Sequence, residues 1–432
     1  MSQLNSIIML NKLKGISFTD KNPKLSYVTK KVKNKLVSSR SILLFAKQED
    51  DNIKCPHCGS QPIKYGKTRE VKINHGDIDG FPSYIVMKKQ RYQCKCCKKT
   101  FQSQTNLTKK FCNISESKKA RILMELSEKK SVTLIAKESN VSTSTVQRIL
   151  NSTNTYTENQ FNFLPKVMSI DEFRAFSSKK AAKFALAIVD CEKHKLVDIC
   201  VDRKLGYLRR YFNRYPLYVR KKVEMVCMDM HKPYITLVKE MFPNAKIVFD
   251  RFHIVQNMSR AINNYRIQIM KRIDQNNDKE LYKIFKKYGM LITKRRDKLE
   301  VFKARWVPHM QTRKTEEYLL NTMLETDAKL YNSYWLYQTM MSGVRLKSIQ
   351  LIDQVIKDDV QVCGTIDTAI KTMSRYRQYI KNALETPYSN GPIEAYNNNI
   401  KVIKRIAYGY RNFQNFRNRI LLVNTDIIRR VA

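Results

Sequence analysis

Val167-Met-Ser-Ile-Asp171 is an apolar run of strand length that ends on a carboxylate, and the chain repeats the device twice. Val223-Glu-Met-Val-Cys-Met-Asp229 and Ala245-Lys-Ile-Val-Phe-Asp250 each pass through apolar strand residues and stop on an aspartate. Two more strand-like runs, Phe184 to Val189 and Lys195 to Val201, lie between the first and second, joined by a short turn from Asp190 to His194. Helical patterning over 207–221 and 235–242 fills the remaining gaps.

Three strands, a helix, a strand, a helix and a strand is the order expected of a ribonuclease-H-like mixed sheet. Aspartates at strand ends are where α/β folds place chemistry: the strand fixes the side chain and the loop beyond leaves room for a ligand. From 255 to about 385 the chain reads as helical, interrupted only by Pro308. That is too long for a loop, so it is expected to be a helical insertion, with Trp306 and Trp335 as packing anchors.

Ser389-Asn-Gly-Pro-Ile-Glu394-Ala-Tyr-Asn-Asn-Asn-Ile-Lys401-Val-Ile-Lys-Arg405 then opens a helix, with Pro tolerated in its first turn. On a 3.6-residue wheel Glu394, Asn398, Lys401 and Arg405 share one face, and Ile393, Ile400, Ile403 and Ala407 cover the other. The stripe suits metal at one end and DNA along the rest, so Asn398, Lys401, Lys404 and Arg405 are candidate DNA contacts. Three acids on separate elements can hold two magnesium (or manganese) ions roughly 4 Å apart, as phosphoryl transfer between negatively charged groups requires. Asp171, Asp229 and Glu394 are the candidate catalytic and metal-binding set. Asp250 is the rival for the second position, and His253 could contact a scissile phosphate or cap a helix.

Upstream, Cys55-Pro-His-Cys58-Gly and Cys94-Lys-Cys-Cys97-Lys-Lys are two C-x-x-C knuckles separated by 35 residues. Paired knuckles predict a zinc ribbon holding one structural zinc on Cys55, Cys58, Cys94 and Cys97. Cys96 is a spare thiol and His57 a loop residue. Cys191, Cys200, Cys227 and Cys363 sit among apolar neighbours and read as small buried hydrophobes. Residues 115–151 read as three helices, the last two forming a helix-turn-helix with Val141 at the turn. Ser142, Thr143, Ser144, Thr145, Gln147 and Arg148 are left to face a DNA groove. Residues 151–160 read as a polar linker.

The 81 lysines and arginines against 38 acids give a formal charge of +43 over 432 residues, spread from end to end. Such a balance argues against an ordinary metabolic enzyme and for a polyanionic partner. Apolar residues at 43% exclude a disordered basic tail. No apolar run is long enough for a membrane span and no secretory signal is visible, so a cytoplasmic, nucleoid-associated protein is expected. Double-stranded DNA is the expected partner, with a homodimer on DNA and no membrane.

The knuckles, the helix-turn-helix, Ser169-Ile-Asp-Glu172, Asp229-Met-His-Lys-Pro-Tyr234, Phe242-Pro-Asn-Ala-Lys-Ile-Val-Phe-Asp-Arg-Phe-His-Ile254, Ser389 to Glu394 and Lys404 to Phe413 together resemble the bacterial DDE transposases of the IS-L-three insertion-sequence family. The resemblance covers residue 50 or so to the end. It implies that Asp171, Asp229 and Glu394 form the catalytic triad of a metal-dependent transposase that binds terminal inverted repeats and cleaves and transfers strands. The fold expected is multidomain α+β. It comprises a basic region of unknown role (1–50), a zinc ribbon (51–112), a helix-turn-helix and linker (113–160), a ribonuclease-H-like catalytic domain (161–254 and 386–432) and an all-helical insertion (255–385). Residues alone reach a metal-dependent, DNA-binding phosphoryl-transfer enzyme. A zinc-ribbon/helix-turn-helix transcriptional regulator without cleavage activity and a structure-selective DNA nuclease are the alternatives.

Overall fold

The near-continuous apolar run Phe184-Ala-Leu-Ala-Ile-Val can only be a strand if both its faces are covered, and the structure places it inside a sheet. The computed structural model describes residues 16–19, 24–32, 35–48, 53–66, 69–103, 105–154, 160–176 and 183–425. They fall into two compact units, Met1–Glu158 with Asn399–Ala432, and Asn159–Asn398.

The first unit begins with strands β1 (Ile16–Phe18), β2 (Lys24–Val32) and β3 (Lys35–Gln48). Strands β4 (Pro62–Lys64), β5 (Arg69–Ile78), β6 (Phe81–Lys89), β7 (Arg91–Cys94) and β8 (Thr100–Gln102) follow. One sheet has the order β1-β3-β6-β5 with β2 also on β3, and a three-stranded sheet has the order β4-β7-β8. Alternation along β3 and β6 gives the larger sheet two apolar faces. Leu44, Ala46, Ile85 and Met87 pack on one side, and Leu43, Tyr84 and Val86 on the other. Strands β1 to β3, which lie in the stretch that the sequence leaves without a role, are therefore joined to β6 through β3 in one sheet with β5.

Helices α1 (Glu116–Ser127), α2 (Val132–Glu138) and α3 (Thr143–Asn151) are each opened by a serine side chain accepting a backbone N–H, Ser115, Ser131 and Ser142 respectively. Five linker residues, 155–159, lie outside the described residues.

The second unit carries β9 (Val167–Arg174), β10 (Phe184–Asp190), β11 (Lys195–Cys200), β12 (Met225–Met228) and β13 (Lys246–Phe249). Their order is β11-β10-β9-β12-β13; β9, β10 and β11 are antiparallel, and β12 and β13 run parallel to β9. Helix α4 (Leu205–Phe212) and the single turn α5 (Leu217–Arg220) replace the one helix expected over 207–221. Pro216 divides them, because its ring disfavours helical geometry in the preceding residue. Helix α6 (Lys232–Met241) connects β12 to β13.

The stretch after β13 is α7 (Arg251–Arg272), α8 (Lys279–Lys287), α9 (Glu316–Glu325), α10 (Ala328–Arg345), α11 (Ile349–Lys357), α12 (Gly364–Arg375) and α13 (Arg377–Glu385). It is not wholly helical. A hairpin of β14 (Arg305–Val307) and β15 (Thr312–Lys314) turns around Pro308, and two 3₁₀ segments cover Gly289–Thr293 and Arg296–Lys298. Sheet and insertion share one core that runs from Leu164 to Leu384, so no apolar boundary separates them. The two tryptophans are not buried anchors: Trp306 is 58% and Trp335 37% exposed, the latter carrying the Arg296 guanidinium 4.9 Å from its ring.

Helix α14 (Gly391–Ile406) is followed by α15 (Phe413–Asn424). The sequence groups 386–432 with the aspartate-bearing domain, whereas α15 packs on α1 and α3 in the first unit. Arg419, 3% exposed, ties it there by donating to the carbonyls of Glu128 and Lys130.

Candidate functional site

Strand register sets the aspartates side by side. Ser169 pairs with Cys227 across β9 and β12, and Met228 pairs with Phe249 across β12 and β13. Asp171, Asp229 and Asp250 therefore fall on one row at the same end of three adjacent strands. Beyond Asp171, β9 continues to Arg174 because β10 still pairs with it. Asp229 and Asp250 each directly follow their strand, and Asp250 starts α7.

Helix α14 reaches this row with two amides. Asn397 Nδ2 donates to Asp171 Oδ2 at 2.7 Å, and Asn390 Nδ2 donates to Asp229 Oδ1 at 3.2 Å. Asn390 is itself oriented by Ser169, whose hydroxyl donates to Asn390 Oδ1 at 2.6 Å. Glu394 is four residues after Asn390 and three before Asn397, so the three share one side of the helix. Its side chain is exposed. Ile393, Ile400 and Ile403 are buried, which is the division of faces that the wheel predicts.

Both aspartates hold their protons more tightly than usual. Burial and the charge of Asp229 push the Asp171 carboxyl up to about 7, against the Glu172 backbone N–H and the nearby His253, which favour the anion. Burial likewise raises Asp229. His253 Nδ1 lies 3.0 Å from Asp229 and 2.9 Å from Asp250, and its hydrogen bond to Asp250 raises its own pKa above the ordinary histidine value. Among the described residues the acid cluster within 4.8 Å is Asp229, Asp250 and His253; neither Asp171 nor Glu394 joins it. Half-buried carboxylates with raised pKa values, beside a buried Asn397 Oδ1 that no donor satisfies, make an electron-rich site suited to a hard cation.

The sequence singles out Asp171, Asp229, Glu394 and the rival Asp250, and misses Asn390 and Asn397. Asn397 lies about 60° from Glu394 on the wheel, toward the apolar side, and the exposed Asn398 beside it falls on the polar stripe instead. The sequence assigns no role to a second polar cluster, although Glu172 and Tyr234 end two of the motifs that carry the family resemblance: Tyr234 donates to Glu172 at 3.1 Å, and Arg203 pairs with the same carboxylate at 2.5 Å.

In the first unit, Sγ atoms of Cys55, Cys58, Cys94 and Cys97 all lie within 4.8 Å of one another. Cys55 is 3.6 Å from Cys97 and Cys58 is 3.3 Å from Cys94. A tetrahedron with Zn–S of about 2.3 Å has edges of about 3.8 Å, so the four thiols are spaced for zinc. Cys96 is exposed and outside the set, and His57 is not part of it. Gly59, at φ +73°, turns the first knuckle.

Between α2 and α3, Asn140 adopts φ +50°, and its side chain donates to Tyr84 Oη at 3.2 Å, anchoring the turn on the larger sheet. Ser142 is occupied as the cap of α3, its hydroxyl taking the Thr145 N–H and meeting Thr145 Oγ1 at 2.9 Å. Thr143, Ser144 and Arg148 are exposed, whereas Gln147 donates to Asn151 along the helix. On α14, Asn398, Lys401 and Arg405 are exposed and Lys404 is half-buried.

A family model described as a transposase, that of the IS-L-three DDE enzymes, matches residues 168–420, from β9 into α15. A second, described as the zinc-finger of transposase IS204/IS1001/IS1096/IS1165, matches residues 51–97. The chain is 24% identical over 258 residues to the transposase for insertion sequence element IS1001 of Bordetella parapertussis, covering 58% of each. It is 35% identical over 108 residues to an ATP-dependent protease of Lactococcus lactis subsp. lactis, covering 25% of this chain and 35% of that protein. The chain thus spans less than two thirds of the length of either curated relative. The first family match takes in the whole aspartate row, the insertion and Glu394, and the second takes in both cysteine knuckles. The chain belongs to the IS-L-three family of transposases.

Proposed function

We propose that the chain cleaves DNA at the terminal inverted repeats of an insertion sequence and transfers the cut strands to a target, with Asp171, Asp229 and Glu394 as the ligands of two Mg²⁺ or Mn²⁺ ions. The observation that carries this reading is that one helix, α14, reaches both Asp171 and Asp229 through Asn397 and Asn390 while bearing Glu394 between them. When bound, such ions activate the attacking oxygen and stabilise the leaving oxygen. The asparagines fix the carboxylate orientations, and His253 offsets charge where Asp229 and Asp250 approach. The sheet order, with three antiparallel strands followed by two parallel ones, supports a ribonuclease-H-like domain. The serine-capped α2 and α3, joined at Asn140, support a helix-turn-helix that meets DNA through Thr143, Ser144 and Arg148. The four thiols hold one structural zinc, and the active species is a homodimer on DNA.

A second ligand set, with Asp250 replacing Asp229, is favoured by the contact both make with His253. Asp171→Asn, Asp229→Asn, Asp250→Asn and Glu394→Gln separate the two. Nicking and strand joining of end DNA in Mg²⁺ should fall by roughly three orders of magnitude in the Asp171, Asp229 and Glu394 variants, because each amide removes a ligand charge. DNA affinity should stay within about twofold, since phosphate attraction by the basic surface is untouched. Cleavage lost in Asp250→Asn but kept in Asp229→Asn selects the second set. Undiminished cutting by all of them rejects a carboxylate-held metal site.

A further inference from the structure

Several basic side chains of the insertion are matched by acids. Lys294 pairs with Glu316, Arg295 with Asp297, Arg296 with Glu317, Arg305 with Glu300 and Arg377 with Asp353. Four others gather around one pocket. A pocket of about 460 Å³ between α7, α8 and the 3₁₀ turn after α8 is lined by Arg260, Arg266, Lys286 and Lys287, with Ser259 and Thr293, and by no carboxylate. None of these four cations takes part in an ion pair among the described residues.

Arg266 is the telling member, because it is 9% exposed. Its guanidinium is held in place by Asn263, which accepts from Nε at 2.9 Å, and by the Phe285 carbonyl, which accepts from Nη1. Burying a charge without an opposite charge is costly, and this one is fixed by neutral acceptors that leave Nη2 without a described partner. Gly289 makes the room: a Cβ there would fall 2.6 Å from Arg266 Cζ. Burial lowers the Arg266 pKa, and no acid offsets the effect.

We propose that this pocket grips a phosphodiester group of the DNA backbone, with Arg266 at the back and Arg260, Lys286 and Lys287 at the rim. A buried guanidinium presents N–H donors in a fixed fork that suits phosphate oxygens, and flexible exposed lysines add charge without demanding geometry. The assignment to DNA rests on the transposase reading above; the same chemistry would also accept a free phosphate or a nucleotide.

The test uses full-length, zinc-loaded chain carrying Asp171→Asn, so that cleavage plays no part. Binding to a 40-base-pair duplex is measured by fluorescence anisotropy from 50 to 300 mM KCl. The Lys286→Ala/Lys287→Ala variant should weaken binding about tenfold and reduce the slope of log affinity against log salt by about 2, near 0.9 for each phosphate left unneutralised. Gly289→Ala should displace the guanidinium and weaken binding by about threefold or more. Arg305→Ala and Lys371→Ala, whose charges are already matched by Glu300 and Asp367, should leave the slope unaltered. An unchanged slope in the double variant overturns the proposal. So does stabilisation by inorganic phosphate or ATP that depends on these residues while duplex affinity does not, which would mark a free-phosphate site. A chain that binds no duplex at all overturns this assignment and the transposase reading together. Duplex binding that depends on the pocket, in a protein whose unmutated form does not cleave, upholds the pocket and rejects only the catalytic reading.

Discussion

Asp171 is a carboxylate under opposing influences, and its titration can be read in the metal-free protein. Its pKa of about 7 lies well above the ordinary 3.8 because burial and Asp229 penalise the anion. An acid whose folded pKa is raised stabilises the fold fully below its unfolded pKa, and that contribution is lost as pH rises through the folded value. Metal-free Asp171→Asn should therefore gain about 4 kcal/mol over the unmutated chain at pH 8 and gain little at pH 4, measured by chemical denaturation. Mn²⁺ affinity should rise with pH up to about 7 and flatten above it, since binding must expel the proton. Affinity independent of pH between 5 and 8 would argue that Asp171 is not a ligand. Asn397→Ala removes the amide that holds Asp171 Oδ2, and should lower cleavage by about 10- to 100-fold, as removal of a ligand-orienting partner generally does. These asparagines are hidden in the sequence because a short amide carries no chemistry of its own. Their importance comes from what lies across from them.

Elements behave as their sequence patterns require, up to the points where packing intervenes. Helix α3 is capped by Ser142, and loss of its side-chain cap in Ser142→Ala should cost about 1 kcal/mol in urea unfolding. If α3 is the reading helix of the proposed helix-turn-helix, Arg148→Ala should weaken binding to end DNA more than to random duplex, because an exposed arginine in a groove contributes to base discrimination. Equal losses on both would reduce Arg148 to a phosphate contact. The wheel for α14 separates Ile393, Ile400 and Ile403 from Glu394 and Lys401 correctly, since the 3.6-residue period is a local property. The breaks at Pro216 and Pro308 are less legible: proline ends a helix wherever it falls inside one, but only the surrounding chain decides between a kink, a second helix and a hairpin.

At the scale of the whole chain the zinc site is predicted to be a local staple. Chelation at equilibrium, or Cys55→Ser, should remove one zinc and open the β4-β7-β8 sheet, whose β7 ends on Cys94. Amides of β9 to β13 should keep their protection against hydrogen exchange, because their core runs from Leu164 to Leu384 and includes no zinc ligand. Loss of protection in that core on chelation would show that the two units unfold together. The charge of +43 belongs to this scale as well, since a field that broad draws in polyanions without choosing a sequence.

Some of this protein was decided by sequence alone. Two C-x-x-C knuckles set a four-thiol site, apolar runs ending on aspartates set a sheet with acids at one end, and the excess of lysine and arginine set a polyanionic partner. These follow from short spacings, strand and helix periods and simple charge, all of which act within a few residues or on the chain as a whole. Only tertiary structure decided that Asp171, Asp229 and Asp250 share a row, because strand order and register come from pairings between residues about 20 to 60 positions apart. It also joined the first strands to β5 and β6, carried α15 to α1 and α3, and left Arg266 buried without an acid. Such features depend on which apolar surfaces meet, and many pairings of similar greasiness compete until the full core is assembled.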